Sequence, residues 1–406
     1  MATQSFEQKL QQAIDNGEVV GAVLSAGNRD GSFRYEKAFG YRSLKDRSPM
    51  KLDAVMWMAS CTKLITSIAA LQCVERGLLN LDDDVSEILP ELKGLKILTG
   101  FEEKDRAEEP ILVENSKAVT LRHLLTHSSG LSYDFINPLL TRYRKWQKRT
   151  PNLNIESDIK DAFLFPLVFA PGEAFEYGVG IDWAGWMVER VAKTSLDTYF
   201  RQNLWDPLGV QGFTFHPQQK PDLWSRMTDM SDREGGMTMF GTAADPNGKI
   251  VHHEGKEVWN SSSKECAGGV GSYGAVVDYQ VMLHSILADD GKLLKPATVD
   301  EMFKSQLTQA SRASLMAQMN MEVNISLNNL PKGTECDWGF GGMLTMQDLA
   351  GRKKGTLVWG GFPNLLWFID RVGGMSGIYG SQLNPPGDIK TSELFVEWEK
   401  ELYKNA

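Results

Sequence analysis

Strand-like segments sit at both ends of this chain and no helix alternates with them, so the simplest sheet it can build is antiparallel and assembled from its two termini. Near the start, Phe6 to Asp15 carries helical periodicity. Val19 to Ala26 and Phe33 to Gly40 then read as two strands joined by the turn Asn28-Arg29-Asp30-Gly31. The far end mirrors this with strands over Gly339–Met346, Gly355–Gly360, Leu365–Asp370 and Met375–Gln382, closed by a helix from Ser392 to Tyr403. Between the ends, Leu121–Thr126 and Ile181–Ala192 are the clearest helical pieces. The expected fold class is α+β: an antiparallel sheet flanked by N- and C-terminal helices, plus a mainly α-helical part. Residues 1–80 and 234–406 would form the sheet domain and 81–233 an inserted helical domain, with a site at their seam. At 406 residues the chain is long enough for this division.

A net charge of −9 argues against nucleic-acid or anionic-membrane partners. No apolar stretch reaches the length of a membrane span, and Met1 to Gln8 lacks the basic start and apolar run of a secretory leader, so a cytoplasmic protein is expected. The cysteines, Cys61, Cys73, Cys266 and Cys336, have neither C-x-x-C pairing nor regular spacing. They read as reduced thiols, with no metal and no cofactor implied.

Ser60-Cys61-Thr62-Lys63 opens the most apolar helix-like stretch, continued by Leu64, Ile65, Ile68, Ala69, Leu71 and Val74 and stopped at Gly77. Residues three apart share a helix face, which puts the Lys63 amine within reach of the Ser60 hydroxyl. A desolvated lysine that loses its proton can activate a serine, and a helix N-terminus favours an oxyanion. On the tetrad alone, a buried core helix capped by Ser60 is the favoured reading.

Three further segments give that tetrad a context: Leu125-Thr126-His127-Ser128-Ser129-Gly130-Leu131, Pro171-Gly172-Glu173-Ala174-Phe175-Glu176-Tyr177-Gly178 and Trp359-Gly360-Gly361-Phe362. In this order, nearly end to end, the chain resembles the serine β-lactamase/penicillin-binding-protein superfamily. It is most similar to the class C β-lactamase-like branch that includes carboxylesterases and the fungal statin side-chain transesterases. The resemblance implies a β-lactamase/transpeptidase-like fold. It also implies Ser60 as acylated nucleophile, Lys63 as base or proton relay, and Tyr177 as the group that shares protons with the lysine, its phenol lowered by the nearby ammonium. The amides of Ser60 and Phe362 would form the oxyanion hole. Trp359, Gly360 and Gly361 would line the substrate, with Tyr133 and Trp57 as further aromatic surface.

Other motifs fail their context tests. His127 suggests a Ser-His-Asp triad, but the resemblance puts it in a structural turn and the Ser-Lys-Tyr set needs no histidine. No G-x-S-x-G elbow occurs, and His252-His253-Glu254 lacks metal-ligand spacing. Gly269 to Gly274 fits G-x-G-x-x-G, yet no apolar strand precedes it, and it matches a family turn near the site.

Departures from the family pattern bear on substrate. Trp359-Gly360-Gly361 replaces the Lys-Thr-Gly of class C β-lactamases, removing a lysine that holds a carboxylate. Val179, Gly180 and Trp57 likewise stand where polar family residues occur. The resemblance therefore implies an acyltransferase that moves an acyl group from a thioester or ester to a hydroxyl of a small, polyketide-like molecule. A carboxylesterase or lactonase using the same residues is the alternative, and a non-catalytic binding relative a third. Arg142, Arg144, Lys145, Lys148 and Arg149 form a basic cluster that reads either as a solvated face or as a docking patch for an acidic acyl carrier protein.

Overall fold

The computed structural model describes residues 5–104, 107–150, 158–235, 245, 247–255, 257–320, 330–349 and 351–405. Met1–Gln4, part of the stretch read above for a leader, lie outside them. Seven strands form one antiparallel sheet, in the order Arg34–Gly40, Gly21–Asn28, Met375–Gly380, Leu365–Asp370, Leu357–Gly361, Met343–Thr345 and Cys336–Trp338. The N-terminal hairpin pairs directly with the C-terminal meander, Leu24 opposite Tyr379, so both chain ends build one sheet as expected.

Both faces of this sheet are covered, which explains why its central strands are buried at successive positions rather than at alternate ones. At Gly377 an added Cβ would lie 3.1 Å from the Trp398 ring of the closing helix Ile389–Asn405, and at Gly380 one would lie 2.3 Å from Val276. The two positions differ by an odd number of residues, so they mark opposite faces. The N- and C-terminal helices cover one face, and the helix Val276–Ala288 covers the other.

The expected strand Gly339–Met346 is two strands, Cys336–Trp338 and Met343–Thr345, with a tight turn between them. The Gly339 N–H donates to the Gly342 carbonyl, and Gly341 takes φ +97°. A side chain at Gly341 would meet Leu64 at 2.7 Å, so the bend lets the chain pass against the helix that follows Ser60.

That helix, Thr62–Glu75, is buried from Thr62 to Cys73. It packs on the helix Gly180–Ala192 at a crossing where a Cβ on Gly185 would sit 3.5 Å from Thr66 and 3.3 Å from the Gly268 backbone. Each fully buried Leu or Ile along it contributes about 1.5–3 kcal/mol. The middle of the chain also holds an element not expected from sequence, the hairpin Ile97–Lys104/Ala107–Val113. It packs with the helix Pro138–Trp146 through Leu98, Leu140 and Phe165. Among the described residues no helix is long and apolar enough to cross a membrane.

Candidate active site

Ser60 lies in a short 3-10 turn, Ala59–Cys61, and the residue capping the following α-helix is Cys61 rather than Ser60. The preceding Ala59 has φ +46°, a left-handed conformation that costs an alanine about 1–3 kcal/mol and persists only where its surroundings fix it. They do so here. The Met58 N–H donates to the Ser272 carbonyl at 2.9 Å, the Cys61 N–H to the Met58 carbonyl at 3.0 Å, and the Thr62 and Ser272 hydroxyls meet at 2.7 Å.

Ser60 Oγ accepts from Tyr177 Oη at 2.7 Å and from Lys63 Nζ at 3.4 Å, so the three residues expected from sequence meet at one point. Lys63 is 1% exposed. Its Nζ also donates to the Gly269 carbonyl at 2.9 Å and to Tyr133 Oη at 3.1 Å. Three neighbours suit an ammonium with three protons. They suit a neutral amine equally, with two N–H groups on Gly269 and Tyr133 and the lone pair facing Ser60. Tyr133, expected as an aromatic surface for substrate, is therefore a hydrogen-bond partner of the lysine, its hydroxyl and ring buried.

Burial pushes the Lys63 pKa down, opposed by the negative field of Asp182 and secondarily by Cys61. Asp182, a residue that sequence reading did not single out, is fully buried. Its Oδ1 accepts the Gly269 N–H at 2.7 Å and its Oδ2 has no hydrogen-bond partner. Burial raises its pKa, and Lys63, then the Gly269 amide, pull it back. Tyr177 reverses an expectation: burial pushes the phenol up, outweighing its hydrogen bonds with Ser60 and Trp359, which lower it. Burial thus keeps the tyrosine neutral, while it lowers the pKa of the lysine.

Opposite Ser60 runs the strand Leu357–Gly361. A Cβ on Gly361 would fall 2.5 Å from the Met58 carbonyl and 3.3 Å from Cys61 Sγ, so only glycine lets this strand end lie on the serine turn. Phe362 follows at once and packs its ring on Trp57 at 5.9 Å. Gly360 pairs with Leu366 in the sheet. Trp359 does more than offer a flat surface, because its Nε1–H donates to Tyr177 Oη at 3.2 Å. Trp57 is buried, its indole N–H donating to the Val270 carbonyl at 2.7 Å, which leaves it as support behind Phe362 rather than a polar contact for substrate.

The glycine-rich stretch set aside as a dinucleotide motif has a definite place, since the Gly268 carbonyl accepts from Thr66 at 2.6 Å and the Gly269 carbonyl from Lys63. The four cysteines are buried free thiols, and burial pushes the Cys61 pKa up, which disfavours its thiolate.

The family model described as Beta-lactamase matches residues 6–396. This chain belongs to the beta-lactamase family. Within the family it is 39% identical over 406 residues to a lovastatin esterase of Penicillium rubens, covering 98% of each chain. It is 34% identical to a monacolin J acid methylbutanoyltransferase of Aspergillus terreus, covering 98% of this chain and 95% of the other. The LovD6 mutant of simvastatin synthase from Aspergillus terreus superposes with a TM-score of 0.89 at 35% identity, covering 98% and 94%. The statin-processing branch expected from the motifs is the one found.

Relative to other beta-lactamase-family sites, the apolar replacements have structural causes here. Val179 is buried at the start of the helix Gly180–Ala192, and a Cβ on Gly180 would meet the Leu124 carbonyl at 2.7 Å. The basic cluster needs correction. Arg144 is buried, paired with Asp134 at 2.8 Å and bonded to the Ala162 carbonyl, so it is unavailable for docking. Arg142 pairs with Glu108 above the Phe101 ring. Lys145, Lys148 and Arg149 are exposed.

Proposed function

We propose that this protein is a serine acyltransferase that carries an acyl group on Ser60 and delivers it to a hydroxyl of a polyketide-like acceptor. The observation that carries the reading is the position of Ser60 Oγ, 2.7 Å from Tyr177 Oη and 3.4 Å from Lys63 Nζ. The neutral Lys63 amine takes the Ser60 proton as Oγ attacks the carbonyl of a thioester or ester. The oxyanion forms toward the amides of Ser60 and Phe362. Tyr177 hands its proton to the leaving thiolate or alkoxide and regains one from the Lys63 ammonium, which returns to the neutral amine. An acceptor hydroxyl then attacks the acyl-enzyme by the same route in reverse: its proton passes to Tyr177 and on to Lys63, and as the acyl–Oγ bond breaks the lysine returns a proton to Ser60 Oγ.

Ser60, Lys63, Trp359 and Phe362 come from residues 1–80 and 234–406, and Tyr133 and Tyr177 from 81–233, which supports a site at the seam of two parts. Trp359, Phe362 and the ring of Tyr177 make the surroundings of the serine apolar, which favours an alcohol over water as acceptor. The relatives named for methylbutanoyl transfer to monacolin J acid and to ML-236A carboxylate support a polyketide acceptor. A carrier-protein donor would engage the exposed Lys145, Lys148 and Arg149, and a cytoplasmic location fits a donor thioester made inside the cell.

The second reading, an esterase using the same residues, is favoured by the 39% identity to a lovastatin esterase. Intact-mass spectrometry with a short acyl thioester, alongside Ser60→Ala, tests both. An adduct on Ser60 that persists in water and clears with a polyketide alcohol, giving its ester, establishes the transferase. One that clears in water alone establishes the esterase. No adduct on folded protein leaves a non-catalytic binding relative.

A further inference from the structure

His127 stands in the turn after the helix Leu121–Leu125 and has φ +56°, a left-handed backbone that histidine adopts at a cost. Its carbonyl accepts the Glu176 N–H at 2.9 Å, and its ring Nδ1 accepts the Gly178 N–H at 3.3 Å. Those two amides are the ones on either side of Tyr177. The imidazole itself lies against the phenol ring, 4.6 Å between centroids, with Trp338 at 5.0 Å and Phe175 at 5.9 Å completing the enclosure. One residue therefore grips Tyr177 at three points: the main chain before it, the main chain after it, and the ring.

We infer that His127 is the positioning residue of Tyr177, its neutral imidazole and left-handed backbone together aiming the phenol hydroxyl at Ser60 Oγ. The inference rests on the proposed role of Tyr177 in proton transfer. Accepting at Nδ1 requires that nitrogen to be bare, which puts the ring's single proton on Nε2. Burial, and after it the charge of Lys63, holds the imidazole well below its ordinary pKa and so keeps that tautomer neutral. Nε2 is buried without a hydrogen-bond partner, and the groups bonded to Ser60 Oγ are Tyr177 and Lys63, which is the arrangement of a support and not of a base. The Tyr177 Oη to Ser60 Oγ distance of 2.7 Å is the quantity this grip sets.

Asparagine can place Oδ1 where Nδ1 stands and tolerates positive φ, glutamine carries its acceptor one atom farther out, and leucine has none. The experiment compares His127→Asn, His127→Gln, His127→Leu and Tyr177→Phe by kcat, KM and thermal unfolding midpoint with a p-nitrophenyl acyl ester. Expected is a loss of about 10²-fold in kcat for His127→Leu, with KM within about threefold and the midpoint nearly unchanged, since misplacing a reacting group by an ångström costs about that much. His127→Asn should recover to within about tenfold of the parent and His127→Gln should not.

Full activity in His127→Leu, with Tyr177→Phe inactive, overturns the inference alone. So does a loss shared equally by all three variants in proportion to their unfolding midpoints. Full activity in Tyr177→Phe overturns the reading of Tyr177 and the inference with it. If His127→Leu does not fold, the Asn and Gln variants decide: Asn well above Gln supports the grip, and equality refutes it.

Discussion

Asp182 and Lys63 hold Gly269 from its two ends, the carboxylate accepting its N–H at 2.7 Å and the lysine donating to its carbonyl at 2.9 Å. The two residues also share a field. Burial lowers the lysine pKa, and the nearby carboxylate opposes that shift. Tyr133, Tyr177, His127 and Cys61 complete the set of titratable groups around the amine, and burial keeps each of them neutral.

Asp182→Asn keeps an acceptor for the Gly269 amide and removes the charge. The Lys63 ammonium then loses its stabilising partner and its pKa falls further, so the amine is free at lower pH. The acid limb of the kcat/KM profile should move to lower pH, by about one unit, an ordinary size for the loss of an opposite charge. An acid limb that stays in place, or moves up, would show that Asp182 does not act on Lys63 through its charge.

Trp359 gives Tyr177 a hydrogen bond from its indole N–H. Trp359→Phe retains the ring and deletes the N–H that meets Tyr177 Oη. The net worth of such a bond, about 0.5–1.5 kcal/mol, corresponds to roughly a two- to thirteenfold loss of kcat. Steady-state kinetics on an acyl ester check this, and a loss carried by KM alone would assign Trp359 to binding instead.

The sheet was legible because hairpin turns and apolar strands announce themselves locally, as at Asn28–Gly31, where Gly31 takes φ +74°. The hairpin Ile97–Val113 was not, since its tip pairs Glu102 with Glu109 and Glu103 with Glu108, and an acidic run reads as solvated loop. The Ser60, Lys63 and Tyr177 meeting point was accessible through motif order. Asp182, Gly269 and the second role of Tyr133 were not, because each acts through the fold: Gly269 lies more than two hundred residues from Lys63 in sequence. The burial of Arg144 escaped for the same reason, as composition shows a basic run but not which guanidinium turns inward.

Arg233 and Asp388 form a buried pair, 1% and 0% exposed in their side chains, that ties the strand Ser231–Arg233 to the start of the closing helix. Asp388 also accepts from the Thr391 amide and hydroxyl. Arg233→Met strands that carboxylate without its countercharge, and a loss of about 3–5 kcal/mol of stability is expected. Arg233→Met/Asp388→Leu should recover part of it, because the uncompensated charge goes too. Denaturant unfolding of the three proteins tests this, and a double variant no better than the single one would place the cost in lost packing.

Charge reversal separates the proposed carrier contact from folding. Lys145, Lys148 and Arg149 are exposed, whereas Arg144 is inside with Asp134, where burial lowers the guanidinium pKa and the Asp134 hydrogen bond opposes it. Lys145→Glu/Lys148→Glu/Arg149→Glu should therefore slow transfer from an acyl carrier protein by about tenfold or more at low salt while leaving transfer from a small thioester intact. The difference should shrink as ionic strength rises, because exposed charges are screened over about 10 Å at 0.1 M salt. Arg144→Glu should instead destabilise the protein and impair both donors together. Equal slowing of both donors by the triple variant would remove this patch from the donor's path.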